Sequence, residues 1–188
     1  TTKQCQFGYR DSIFKRQLLS TALITKVAFK VAKVWQPRLD YGPLKSLKSK
    51  NITPKAVFDC ICATRMEKLP DPSEVGNAGS FFKTPVISNE QYQALVAKFP
   101  NIVGYPQGRQ HTKVAAGWLI EHAGLKGYQV GGAAVHEKQA LVLINKGNAS
   151  SDDVVQLARH IVACIFSLFA INLEHEPRMI ASTGERSL

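Results

Sequence analysis

Arg10, Ser80 and Glu176 are the residues whose types could share one reaction in this chain. Ser80 lies in Gly76-Asn77-Ala78-Gly79-Ser80-Phe81-Phe82-Lys83-Thr84-Pro85, after two glycines and before two aromatics. Glycine permits positive φ and close backbone approach, so the stretch reads as a tight turn that could present Ser80 to a ligand. Such a serine is a nucleophile, a proton donor or a plain turn residue. The nucleophile reading lacks support. The five histidines (His111, His122, His136, His160, His175) form no motif, and no nucleophile elbow is present. Arginine, serine and glutamate without histidine suit reduction of a double bond conjugated to a carboxylate. Hydride adds to the β-carbon and negative charge builds on the carboxylate. A fixed arginine stabilises that charge, and a hydroxyl delivers a proton to the α-carbon. A glutamate orients the arginine, or hydrogen-bonds the carboxylate in its protonated form. The hydride itself must come from a cofactor.

The elements that would position these residues can be read from periodicity. Arg10 sits in Tyr9-Arg10-Asp11, either as a surface ion pair or as a rigid grip for a carboxylate or phosphate. Residues 22 to 34 alternate, with Leu23, Thr25, Val27, Phe29 and Val31 on one side, and predict a long strand with one buried face. Thr53-Pro54 opens a helix as N-cap and first helical residue, with Val57, Phe58, Ile61, Cys62 and Met66 on its apolar face. Leu69-Pro70-Asp71-Pro72 stops it. Further helices are expected over 88–99, 113–123 and from Ser151 onward. Gly104-Tyr105-Pro106 reads as a loop. Strands are expected over 128–135 and 140–144, joined as a hairpin, and a closing strand over 169–173.

Residues 70 to 173 therefore form a self-sufficient α/β unit with helices on one side of a small, mostly antiparallel sheet. The expected fold class is α+β. Residues 1 to 69 hold a strand and a helix with too few partners. The chain starts at Thr1, and Met66 and Met179 are its only methionines, so a piece of a longer protein is expected.

The 188 residues carry a net charge of +10, which suits an anionic partner. No arginine-rich arm or ribonucleoprotein motif accompanies it, so nucleic acid is not the expected partner. No apolar run reaches membrane-spanning length, and no signal peptide opens the chain. Cys60-Ile61-Cys62 lacks a second pair for zinc. No metal is expected, and Cys5, Cys60, Cys62 and Cys164 read as buried reduced thiols. Neither G-x-G-x-x-G nor a P-loop occurs.

Many segments together resemble the UDP-N-acetylenolpyruvoylglucosamine reductase family. They are Tyr9-Arg10-Asp11-Ser12, Lys68-Leu69-Pro70-Asp71-Pro72, the Gly76–Lys83 stretch, Ala115-Ala116-Gly117-Trp118-Leu119-Ile120, Leu125-Lys126-Gly127, Gly131-Gly132-Ala133-Ala134-Val135-His136, and Leu173-Glu174-x-Glu176-x-Arg178. The resemblance covers the chain in order. It implies an NADPH-dependent flavoprotein reductase of peptidoglycan precursor synthesis, cytoplasmic, with FAD as cofactor and UDP-N-acetylglucosamine enolpyruvate as substrate. It implies Ser80 as proton donor to the α-carbon, with Arg10 and Glu176 stabilising the enolate-like carboxylate. Tyr41 would close over the diphosphate. Lys68, Tyr105, Lys126 and Gln139 would line the pocket shared by NADPH and the UDP-sugar. Tyr9, Arg65 and Arg178 would contact the cofactor. Thr84 stands where the family often has Asn, and a threonine offers one donor in place of two.

The resemblance also implies the domain plan. Residues 1–69 would be the latter part of a second FAD-binding domain, 70–173 the substrate-binding domain, and 174–188 a tail returning to a first FAD-binding domain. A chain so composed is expected to hold FAD weakly and to be inactive alone. The alternative is a stand-alone binding module for nucleotide-sugar diphosphates.

Overall fold

The computed structural model describes residues 1–40, 42–47 and 52–188. The chain divides into two units, Thr1–Phe58 and Asp59–Leu188, and the division falls within helix α2 (Pro54–Lys68).

The first unit contains little regular structure. Helix α1 (Thr2–Cys5) is a single turn capped by Thr1. Gly8 and Asp11 then form an isolated antiparallel bridge, followed by 3-10 turns at Ile13–Lys15 and Gly42–Leu47. The strand expected over 22–34 is not formed. Among the described residues nothing pairs with it, and all of 22–34 is exposed. Alternation selects a face, but a strand also needs a neighbour for its N–H and C=O groups.

Helix α2 starts as read: the Thr53 hydroxyl accepts from the Ala56 N–H at 3.1 Å, with Pro54 next. Its apolar face is not covered as expected. Phe58, Ile61 and Met66 are exposed, and Val57 and Cys62 only half-buried.

The second unit is α+β, as expected. Its remaining elements are β1 (Asn77–Ser80), β2 (Val86–Ser88), α3 (Asn89–Lys98), β3 (Gly104–Gln107), β4 (His111–Val114), α4 (Ala116–His122), β5 (Gln129–Val130), β6 (Ala133–Val135), β7 (Val142–Asn145), α5 (Ser151–Phe169), β8 (Met179–Ala181) and β9 (Gly184–Arg186). The strands form antiparallel sheets in the orders β1-β7-β6-β5, β2-β4-β3 and β8-β9.

Helix α5 is the hub. A reciprocal cap starts it: Ser150 Oγ accepts from the Asp153 N–H, and Asp153 Oδ2 accepts from the Ser150 N–H at 2.9 Å. Its Val155, Leu157, Ala158, Ile161, Ile165 and Phe169 are buried, at the helical spacing read from the sequence. They join Leu119 and Ile120 of α4, Val114 of β4 and Val135 of β6 in one core. Gly132 is demanded by close approach, since a Cβ there would lie 2.5 Å from the Ala149 nitrogen.

Several elements differ from expectation. Residues 113 and 114 belong to β4, so the expected third helix starts at Ala116. Residues 104–107 are strand β3, not loop: with β2 it flanks β4, and Tyr105 pairs with Lys113. The run 128–135 is broken at Gly131-Gly132 into β5 and β6, a hairpin in itself. The β6–β7 hairpin is present. Phe169 closes α5, and 170–173 form no strand, because Ala170 turns left-handed at φ 54° and ends the helix. The four cysteines are free but half-buried, not buried. No helix among the described residues is long and apolar enough to cross a membrane.

Candidate active site

Ser80 does not sit on a free-standing turn. It ends strand β1, opposite Val142 of β7, where the pairing is irregular between Asn77 and Ser80. Gly79, at φ +70°, absorbs that irregularity, so the glycine serves a strand kink. Asn77 fixes the approach: its Oδ1 accepts from the Gly79 N–H at 3.0 Å, and its amide donates to the Val75 carbonyl at 2.9 Å. Beyond Ser80, the Phe81 N–H donates to the Leu141 carbonyl at 2.7 Å. Phe81 and Phe82 are both buried, ring centroids 5.1 Å apart, and anchor the strand end in the core.

The chain returns to this point near its C-terminal end. Phe82 and His175 form an antiparallel bridge. The Glu176 N–H donates to the Phe81 carbonyl at 2.8 Å, and the Lys83 N–H donates to the Glu174 carbonyl at 2.8 Å. Glu176 therefore lies across from Phe81, one residue from Ser80. Two of the three candidate catalytic residues, far apart in sequence, are held on neighbouring extended segments. Lys83 Nζ closes the join by a 2.8 Å ion pair to Glu174.

Ser80 lines an open cleft of about 900 Å³ with Arg65, Asn77, Gly79, His136 and Lys138. Sequence reasoning named Arg65 but passed over His136 and Lys138. Both lie on the β6–β7 connection: His136 ends the family-like Gly131–His136 segment without a role assigned to it, and Lys138 lies just beyond it. His136 is also structural: its Nδ1 accepts from the Gln139 N–H at 3.1 Å, so the neutral ring carries its proton on Nε2. Burial holds its pKa below the ordinary value; Glu137 opposes the shift and Lys138 adds to it.

The other expected site residues are placed as follows. Gln139 is on the same connection, its Oε1 accepting from the Leu141 N–H at 3.5 Å. Lys126 pairs with Glu121 of α4. Tyr105 is exposed on β3. Lys68 is the last residue of α2 and is exposed. Arg178 is committed to Glu185, Nε to Oε1 at 3.0 Å and Nη2 to Oε2 at 2.7 Å. That pair raises the Arg178 pKa and lowers that of Glu185. Thr84 is half-buried. Tyr41 lies outside the described residues.

Arg10 belongs to the first unit. It occupies a two-residue turn closed by the Gly8 N–H to the Asp11 carbonyl at 2.9 Å, and its φ of 54° is left-handed. A non-glycine residue held there carries backbone strain. Beside it, Asp11 Oδ2 takes Arg16 Nε at 3.2 Å. Tyr9 is the other turn residue, with the Arg10 guanidinium 5.9 Å from its ring centre.

Antiparallel sheets around one long helix, with Ser80 lining an open cleft and the Glu176 backbone tied to the strand just beyond it, define an α+β domain. The family model described as UDP-N-acetylenolpyruvoylglucosamine reductase, C-terminal domain, matches residues 71–180, and the chain belongs to that family. Two relatives, each called UDP-N-acetylenolpyruvoylglucosamine reductase, illustrate the likeness. The one from Shewanella sediminis is 55% identical over 186 residues, covering 99% of this chain and 54% of the relative. One from Vibrio cholerae is 55% identical over 188 residues, covering 100% of this chain and 54% of the relative. The chain thus spans about half the length of the curated relatives it matches. The crystal structure of the Thermus caldophilus reductase aligns with a TM-score of 0.40 at 23% identity, over 71% of this chain and 35% of that one.

Proposed function

We propose that this chain supplies the substrate-binding and proton-donating part of a reductase. The substrate is UDP-N-acetylglucosamine enolpyruvate, and the product is UDP-N-acetylmuramate, a peptidoglycan precursor made in the cytoplasm. The observation that carries the reading is that Ser80 lines the cleft while the backbone of the Glu176 segment is joined to Phe81 and Phe82, the residues directly after it. Residues 70–173 act as the substrate domain; 1–69 and 174–188 serve the cofactor side.

The reducing equivalents in this reading come from NADPH through FAD. The residues proposed to touch cofactor are Tyr9, Arg65 and Arg178. They do not build a flavin site by themselves: the sequence holds no Gly-rich pyrophosphate loop, and Arg178 is taken by Glu185. No step is therefore routed through the flavin. What this chain's own groups do is simpler. The Ser80 hydroxyl gives its proton to the substrate α-carbon as the β-carbon gains hydride. Arg10 and Glu176 hold the carboxylate on which negative charge develops. Lys68, Tyr105, Lys126, Gln139 and Tyr41 receive the UDP diphosphate and sugar. On its own the chain turns over little.

Binding tests the reading. In titration calorimetry, UDP-N-acetylglucosamine enolpyruvate should bind about tenfold more tightly than UDP-N-acetylglucosamine, the difference a charge-assisted carboxylate contact provides. Arg10→Gln should erase the preference. Ser80→Ala should leave it intact, because its proton moves only in the transition state. Equal affinity for the two ligands would favour a binding module for nucleotide-sugar diphosphates. No binding of either would sink both readings.

A further inference from the structure

The β6–β7 connection, residues 136–141, is fastened in part by its own side chains. His136 Nδ1 accepts from the Gln139 N–H at 3.1 Å, and Gln139 Oε1 accepts from the Leu141 N–H at 3.5 Å. Backbone bonds close the loop: the His136 N–H donates to the Val142 carbonyl at 2.9 Å, and the Val142 N–H to the Gln139 carbonyl at 3.0 Å. The connection meets the candidate site at Leu141, whose carbonyl accepts from the Phe81 N–H at 2.7 Å. The Phe81 carbonyl in turn accepts from the Glu176 N–H at 2.8 Å. A hydrogen-bonded path therefore runs from the His136 ring, through Gln139 and Leu141, to the residue that follows Ser80 and carries the Glu176 segment.

The first link of that path exists only while the ring is neutral. A second proton makes Nδ1 a donor, which would then face the Gln139 N–H, also a donor. Folding favours the neutral ring, because burial penalises its charge. The ring stands in the wall of two open cavities, the cleft and a neighbour of about 610 Å³. The charged groups there are Arg65 and Glu67 of α2, Asp71 and Glu74 before β1, Glu137 and Lys138 on the connection, and Lys146 after β7. Asp71 accepts from the Ser73 hydroxyl at 2.7 Å, and Lys146 lies 3.8 Å from Glu137. Three bases among four acids leave no dominant charge around the ring, and Glu137 and Lys138 act on it in opposite senses.

We infer that His136 is a positioning residue of the cleft: as a neutral acceptor it holds the β6–β7 connection, and through it Gln139 and the Ser80 end of β1, and protonation releases that hold. The inference rests on the reading of the cleft as the site for a nucleotide-sugar enolpyruvate. Its sign is opposite to that of a simple contact. An imidazolium touching an anionic ligand strengthens binding as pH falls. A positioning imidazole weakens it.

Two measurements on this chain test the inference. The first needs no ligand: hydrogen exchange of the Gln139 and Phe81 amides, taken as protection relative to the intrinsic rate. From about pH 8 downward through the imidazole titration, both amides should lose protection together as His136 takes up its proton. His136→Leu should lack that protection at every pH. His136→Asn carries an acceptor oxygen close to the place of Nδ1, so it should restore the protection and make it independent of pH. The second measurement is calorimetry with UDP-N-acetylglucosamine enolpyruvate. Its affinity should fall about fivefold across the titration, the worth of one hydrogen bond, and should not fall in His136→Asn. By reciprocity, saturating ligand should lower the His136 pKa read by NMR by the same factor, about 0.7 on the pH scale. A role confined to the turn would leave the Phe81 amide and the ligand unmoved. Protection lost at Gln139 alone, affinity that rises or stays level as pH falls, or a His136 pKa indifferent to bound ligand would overturn the inference. If Gln139 and Phe81 respond together but no ligand binds, the reading of the cleft fails while the hold of His136 on the Ser80 strand stands.

Discussion

At the scale of single residues, position and chemistry are set by different partners. Ser80 is aimed by its neighbours: Gly79 kinks the strand, Phe81 and Phe82 pin its exit, and the Glu176 N–H ties down the Phe81 carbonyl. His136 shows the same division. Its Nδ1 lone pair is spent on the Gln139 N–H, leaving Nε2–H as the group available at the cleft. Burial lowers its pKa from the ordinary 6.5, so folding favours the neutral ring. The unfolded chain then binds more protons just below pH 6.5, and stability rises with pH there. The contribution is complete above 6.5 and is lost as pH falls through the folded value. Glu137 and Lys138 flank the ring and their opposed effects leave burial in control. NMR titration should place His136 below 6.5, with the Gln139 amide shift moving in step. His136→Asn should flatten the denaturation free energy just below pH 6.5, where the lowered pKa makes the wild-type stability rise with pH. An unshifted pKa, or a Gln139 amide indifferent to it, would contradict this account of the turn.

At the scale of elements, α5 was legible because its code is local. Ser150 and Asp153 form the cap, and the buried residues recur at helical spacing over its whole length. Ser150→Ala should cost about 1 kcal/mol in urea denaturation, the usual value of an N-cap. Asp153 does more, because its Oδ2 also accepts from the Gly132 N–H at 3.3 Å and so fastens the β5–β6 turn. Those hydrogen bonds lower its pKa from 3.8, so its contribution is present above pH 3.8 and is lost as pH falls through the folded value. Asp153→Asn should therefore weaken the acid limb of the stability curve, while Ser150→Ala lowers stability at every pH. The short strands were less legible. β3 runs Gly104-Tyr105-Pro106-Gln107, a composition that reads as loop, and only its pairing with β4 makes it a strand. Residues 22–34 failed in the opposite sense: the pattern was clear, but no partner strand is present among the described residues. The site was legible only in part for the same reason. Ser80 and Arg65, expected from residue chemistry and family likeness, line the cleft, while His136 and Lys138 reach it through the β6–β7 connection, whose course depends on strand register and not on local sequence.

At the scale of the whole molecule, the two units differ in what holds them. The second has a continuous core running from Phe81 to Leu173. The first has Leu44 and Ser12 buried and a long exposed apolar segment. A tightly held flavin needs a pyrophosphate cradle of backbone N–H groups, usually glycine-rich and at a helix start. Helix α1 is one turn long, and the start of α2 is capped by Thr53. The chain should therefore retain FAD far below one per chain after mixing and gel filtration, read from the flavin absorption band. Its substrate-side binding should persist in the same sample, because the core of the second unit does not depend on the first unit's segments. If a near-stoichiometric flavin band survives filtration, the cofactor has been held by this chain's own residues, and the assignment of weak flavin binding would be wrong.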